Sequence, residues 1–213
     1  MRSLVRLLVW TLLICGGIVG LLRATALRWW HVPEDDPWLV ASVSPTLAPG
    51  DWVLLWRLTR PAEGDLVICP EPKAPERIVV GRILATGNDV IDVNGTTVNL
   101  NSKSLRRESG CDSFAVPHPK TGQLTNQTCA VEDLDGSLYT RGNLIEGFKP
   151  PPAMQPFTVT PGQFFLVSDN RQFSLDSRDF GPVDAATCKE TFVFRLWGRN
   201  GYFDPTRRFE LIP

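Results

Sequence analysis

SDNRQFSLDSRDFGPV, residues 168–183, sets two Arg, three Asp and three Ser at short intervals ahead of a Gly-Pro. Packing needs alone do not produce that density of charge, so the segment marks a connection with chemistry in it. Strands flank it. Residues 157–160 and 163–167 before it and 190–197 after it are short β-branched or aromatic runs, and the same holds further out for 51–58, 65–69, 77–84, 90–93 and 97–100. Turn residues separate these runs at Pro49-Gly50-Asp51, Glu63-Gly64-Asp65, Gly87-Asn88-Asp89 and Pro161-Gly162. Asn94-Gly95 between VIDV and TTVNL is a two-residue hairpin signal. The soluble chain therefore reads as mainly β with little helix. Residues 101–155 differ, being rich in Ser, Asn, Gly and Pro with few sustained apolar runs, and read as an inserted lobe or a long decorated loop. The expected organisation is a membrane anchor with its flanks over 1–28, a β core from 29–100 and 156–213, and the lobe between.

The 213 residues carry a formal net charge of -1 and 43% hydrophobic residues, enough for one substantial core. Nucleic acid is not an expected partner: basic and acidic residues are interspersed, and Arg106-Arg107 is offset at once by Glu108. Residues 4–22 read LVRLLVWTLLICGGIVGLL, apolar except for Arg6 and Thr11, long enough to cross most of a hydrocarbon core of about 30 Å. Two fates are open to this run. Arg2 and Arg6 before it and Ala24-Thr25-Ala26 after it have the shape of a cleavable secretory signal. Arg23 in the would-be cleavage region, and Trp29-Trp30 placed as an interfacial belt, favour a retained anchor that leaves the mature chain starting at or near Met1.

Cys15 lies in the apolar run, which leaves Cys69, Cys111, Cys129 and Cys188 outside it, none with metal-ligand spacing. Cys111 and Cys129 flank a Pro- and Gly-containing stretch and are expected to bridge; Cys69 and Cys188 read rather as buried thiols. No metal and no cofactor are expected.

Upstream, residues 42–55 read SVSPTLAPGDWVLL. Together with PAEGDLVIC at 61–69, GRILATGNDVIDVNG at 81–95 and the 168–183 segment, in that order, this resembles the bacterial type I signal peptidases of serine peptidase family S26. The resemblance implies a single N-terminal transmembrane helix and an antiparallel β-barrel or sandwich domain with an inserted lobe. It also implies a serine endopeptidase that cuts signal peptides of exported preproteins after small residues at Ala-x-Ala sites. Its partners would be those signal peptides and membrane lipid. Its place would be the bacterial cytoplasmic membrane, with the soluble part on the extracytoplasmic side. Ser42 matches the nucleophile that opens the family's Ser-Met-x-Pro-Thr-Leu run, with Val43 at the Met position. Its backbone N–H would supply one oxyanion donor. Val40 stands where many Gram-negative relatives add a Ser hydroxyl, and Ser44 reads as a turn hydroxyl.

The general base is where the pattern breaks. The family reads Lys-Arg-Val-Val-Gly-Leu-Pro-Gly-Asp, and matching Arg82 and Asp89 places Gly81 on the Lys. No Lys occurs between Lys73 and Lys103, and an Arg cannot act as a base. His31 reads as an interfacial residue and His118 as a solvated loop residue. By resemblance Ser174 would orient the base, while Asp176 and Arg178 form a supporting ion pair, Arg82 belongs to the same wall, and Asp169 and Arg171 shape the turn. A leader peptide would lie as an extended strand over Trp52, Val53, Leu54, Ile83 and Leu84. Without a base the alternative is a silent relative that binds peptides or partners.

Overall fold

A computed structural model describes residues 2–213 of the chain; Met1 lies outside the described residues. The apolar run forms α1 (Arg2–Thr25). Its stretch Leu4–Thr25 is 22 residues, about 33 Å of helix, and none of its hydropathic window is covered by protein. The polar groups inside it are satisfied within the helix: the Thr11 and Thr25 hydroxyls donate to the carbonyls of Leu7 and Leu21 at 2.9 and 2.8 Å.

Strands β1 (Leu27–His31), β2 (Trp52–Trp56), β3 (Leu66–Glu71), β4 (Ala74–Ala85), β5 (Val90–Asn94), β6 (Thr97–Leu100) and β7 (Lys103–Ser104) follow. Next come β8 (Arg106–Pro117), β9 (Leu124–Leu134), β10 (Ser137–Gly142), β11 (Phe157–Thr158), β12 (Gln163–Val167), β13 (Val183–Asp184), β14 (Glu190–Trp197) and β15 (Arg208–Leu211). Two short helices interrupt them, α2 (Pro37–Ser42) and α3 (Ser177–Phe180). The main sheet runs β1-β2-β14-β3-β4-β12-β13 with β15 on β14, and its pairings are antiparallel. Two smaller sheets are β11-β5-β6-β7 and β10-β9-β8.

The β-run expectation meets strands in every span it named. The hairpin turn, however, lies one residue later than Asn94-Gly95. Asn94 pairs Thr97, so Gly95-Thr96 form the loop, and Gly95 at φ 60° in its first position is the arrangement of a II′ turn. The lobe is more regular than its composition suggests, because β8, β9 and β10 make a three-stranded sheet. Cys111 and Cys129 stand opposite one another on β8 and β9 and are disulfide-bonded. Cys69 and Cys188 are also bonded, not free thiols: β3 and the turn before β14 bring their Cα atoms to 4.6 Å.

Strand β4 is what positions the site. From Val79 to Ala85 it is buried on both faces, since both sides of the sheet carry a core. Val80 packs with Leu39 and Val43 of the α2 region and with Leu66 and Val53, whereas Val79 and Ile83 pack with Val67, Leu166 and Phe180 on the other side. Val53, Ile83 and Leu84 are thus core residues and do not line a peptide groove. A smaller cluster of Ala41, Val116, Ile145 and Phe173 ties α2, the lobe and the 168–183 segment together.

Candidate active site

The helix α2 begins because Asp36 caps it, accepting from the Leu39 N–H at 3.0 Å, and Pro37 enters its first turn. It ends on Ser42, fully buried. The Ser42 hydroxyl donates to the Leu39 carbonyl at 2.9 Å, and the Ser42 carbonyl accepts from the Asn170 N–H at 3.0 Å. Asn170 is fixed in turn. Its side-chain amide exchanges hydrogen bonds with Gln127 of β9 at 3.0 and 2.8 Å, and its Oδ1 accepts from the N–H groups of Gln172 and Phe173. Ser44 donates to the Val40 carbonyl at 3.0 Å, a local turn contact.

Arg82 lies on the Val80 face of β4, fully buried. Its guanidinium forks onto Asp169 at 2.9 and 2.8 Å, donates to the Gly64 carbonyl at 2.7 Å and to that of Pro213, and sits 4.4 Å over the Tyr139 ring. Asp169 also accepts the Thr46 hydroxyl at 2.6 Å. The two sequence segments singled out, 42–55 and 168–183, are therefore joined at Ser42–Asn170 and at Thr46–Asp169. Asp176 caps α3 and accepts from the Ser168 N–H at 2.7 Å, and Arg178 forks back onto it at 2.9 and 2.7 Å. Ser174 is half-buried and makes no hydrogen bond among the described residues.

Gly81 belongs to the Val79–Ile83 face of β4, the face turned away from the Leu39 contact. A Cβ built on it comes 3.0 Å from Leu166 Cβ. Neither candidate histidine reaches Ser42 by a hydrogen bond. His31 leans on Trp52, with ring centroids 4.9 Å apart. His118 is a half-buried residue of the loop after β8: it packs on Phe173 and Phe148, and its Nδ1 accepts the N–H groups of Lys120 and Thr121. Lys73 stays in the turn between β3 and β4.

A second buried cluster escaped the sequence. Glu132 of β9 accepts from the Tyr139 hydroxyl at 2.6 Å, from Arg171 at 2.7 Å and from Arg141, and Arg171 donates to the Ser168 carbonyl at 2.9 Å. A signal for it was available. Asp135-Gly136, both at positive φ, is a primed two-residue turn, and it puts Tyr139 directly opposite Glu132.

Burial alone would raise the Glu132 and Asp176 carboxyls. The Arg171 and Arg141 charges with the Tyr139 hydroxyl outweigh it for Glu132, and the Arg178 fork with two N–H groups outweighs it for Asp176, so both lie below the ordinary carboxylate range. Burial first, then Glu132, pushes Tyr139 up, so its hydroxyl stays a donor. Arg171 is also held up, since Glu132, Tyr139 and Asp169 overcome burial. A folded value below the unfolded one gives stability that is fully present above the unfolded value and lost as pH falls through the folded one. The denaturation midpoint is expected to hold from pH 8 to about 5 and to drop below about pH 4, where carboxylates of the unfolded chain bind protons first. A midpoint at pH 3 equal to that at pH 7 would contradict this.

A family model described as "Signal peptidase, peptidase S26" matches residues 4–197. The chain belongs to that family. Membership places it among peptidases, and α1 gives this S26 chain a helix suited to anchoring it in a membrane. It is 25% identical over 189 residues to Signal peptidase I of Aquifex aeolicus, covering 75% of this chain and 74% of that protein. To Signal peptidase IB of Staphylococcus aureus it is 25% identical over 161 residues, covering 73% of each. A signal peptidase I from Enterococcus faecalis superposes at TM-score 0.39 with 19% identity, over 62% of this chain and 97% of the other.

Proposed function

We propose that this S26 chain is a membrane-anchored serine endopeptidase that cuts signal peptides from exported preproteins after small residues at Ala-x-Ala sites, with Ser42 as nucleophile. It works on the extracytoplasmic side of the bacterial cytoplasmic membrane. The observation that carries the reading is the double tie of the 42–47 run to the 168–183 segment, Asn170 N–H to the Ser42 carbonyl and Thr46 to the Arg82-bound Asp169. That framework fixes the nucleophile's main chain, and rigid placement is a large part of what a catalytic serine needs. Asp176 with Arg178 braces the far wall, where Ser174, free of other partners among the described residues, stands ready to orient a base.

For attack, the Ser42 hydroxyl turns from the Leu39 carbonyl, gives its proton to a base and bonds the scissile carbonyl carbon, while an N–H takes the oxyanion. Gly81 supplies no base. That specific gap favours a second reading, a relative that binds signal peptides without turnover. Incubation of the full chain with a leader peptide ending Ala-x-Ala, followed by mass spectrometry, separates the two. Cleavage at that site which is lost in Ser42→Ala is the expected result. Saturable binding with no product establishes the second reading, and neither binding nor cleavage overturns both.

A further inference from the structure

A groove of about 720 Å³ opens at the foot of the anchor helix, away from Ser42. Its wall begins at Arg57, whose N–H donates to the Ala26 carbonyl at 3.0 Å, and Ala26 directly follows the last residue of α1. Its apolar lining is the exposed Leu58, Phe164 and the buried Cys188, and its basic lining is Arg57, Arg60 and Lys189. Arg57 and Arg28 share one carboxylate, that of Glu190, at 2.6 and 2.8 Å, so a positive charge is left over there. Arg60 and Lys189 form no ion pair among the described residues. Asp184 is the one acidic group in the lining, and its Oδ1 already accepts the Ala186 N–H at 2.9 Å. The Cys69–Cys188 disulfide pins the wall next to Lys189 to the main sheet.

Depth decides what such a groove meets. A helix about 33 Å long crosses a core of about 30 Å, so Ala26, and Arg57 bonded to it, lie at the level of the lipid phosphates. We propose that this groove binds the phosphate headgroup of an anionic phospholipid, with Arg60 and Lys189 on the phosphate and Leu58 and Phe164 against the apolar start of the acyl chains. The inference rests on α1 spanning the membrane and needs no peptide turnover, so it stands or falls apart from the proposed activity. Bound there, a lipid would fix the tilt of the soluble domain over the bilayer.

The full chain in a neutral maltoside detergent is titrated with dihexanoylphosphatidylglycerol, dihexanoylphosphatidylcholine or inorganic phosphate, and bound molecules are counted by native mass spectrometry. One phosphatidylglycerol is expected to bind at least tenfold more tightly than phosphatidylcholine. Each exposed cation at a lipid phosphate is worth about fivefold, so Arg60→Gln with Lys189→Gln should weaken phosphatidylglycerol about 25-fold. Arg106→Gln with Arg107→Gln, basic residues of the distant lobe, should leave it unchanged. Equal affinity for the two lipids, an unaffected Arg60/Lys189 double variant, or an equal loss in the lobe variant overturns the proposal. Inorganic phosphate binding as tightly as phosphatidylglycerol overturns the lipid as its source.

Discussion

Gly81→Lys combined with Leu166→Ala should give no gain in cleavage of an Ala-x-Ala leader peptide, because a side chain at 81 starts on the face of β4 turned away from the Leu39 contact, among Val67, Val79 and Phe180. A gain of about 10²- to 10⁴-fold, the range a positioned general base contributes, that is lost when Ser42→Ala is added would show instead that the amine reaches Ser42. The second substitution follows from packing. A Cβ at 81 lies 3.0 Å from Leu166 Cβ, and Leu166 is fully buried, so a Lys introduced alone must displace it. Alanine at 166 opens the space, which the methylene stem of the new Lys then fills, offsetting part of a cavity cost of about 2–5 kcal/mol. An amine among Val67, Val79 and Phe180 is desolvated and its pKa falls, but it is held in the core and away from the α2 side of the strand. Gly81→Lys alone should likewise show no gain and should lose more stability, because Leu166 must then move. Ser42-dependent cleavage by wild type at the rate of the double variant would show that Ser42 has another base and that position 81 is not where one is missing.

What the sequence disclosed was what depends on local pattern. Period-two runs located the strands of the main sheet, and the charge-dense 168–183 segment announced itself because Asp176 and Arg178 pair two residues apart. Long-range partners were hidden. Arg82 finds Asp169 across 87 positions, Asn170 finds Gln127 across 43, and no local rule links them. Strands β8 and β9 were illegible for another reason: the consecutive residues Arg106, Arg107 and Glu108 of β8 are all exposed and the buried positions of β9 include Gln127 and Glu132, so the alternation that a half-buried sheet usually shows is missing. Cys69 and Cys188 are 119 residues apart, and their pairing is set by β3 meeting β14, a matter of topology. The base position is the reverse case. Resemblance located Gly81, but only the strand's facing shows that its missing side chain would start among core residues.

Glu132→Ala should be the most destabilising single substitution near the site, by about 3–5 kcal/mol, a large share of the stability of an ordinary domain. Glu132 is nearly inaccessible and holds two guanidinium groups, Arg171 at 2.7 Å and Arg141, together with the Tyr139 hydroxyl at 2.6 Å. Its removal leaves Arg171, wholly buried, with a charge that the Ser168 carbonyl and the Tyr139 hydroxyl only partly satisfy. Arg171 cannot neutralise itself, since an arginine does not release its proton, so the cost falls on the fold. Tyr139→Phe is the control. It deletes the hydroxyl's bond to Glu132 and the longer one it accepts from Arg171, and leaves both ion pairs, for about 1.5–3 kcal/mol. Because the two residues share one network, the double variant should cost less than the sum of the singles. Urea unfolding of the full chain in detergent reads all three. Equal losses for Glu132→Ala and Tyr139→Phe would mean that water reaches Arg171 and that the cluster is not the dry ion-pair hub described. A loss of the expected size should also loosen the 168–171 turn, because Arg171 is the link between β9 and the Ser168 carbonyl, two residues from the N–H that holds Ser42.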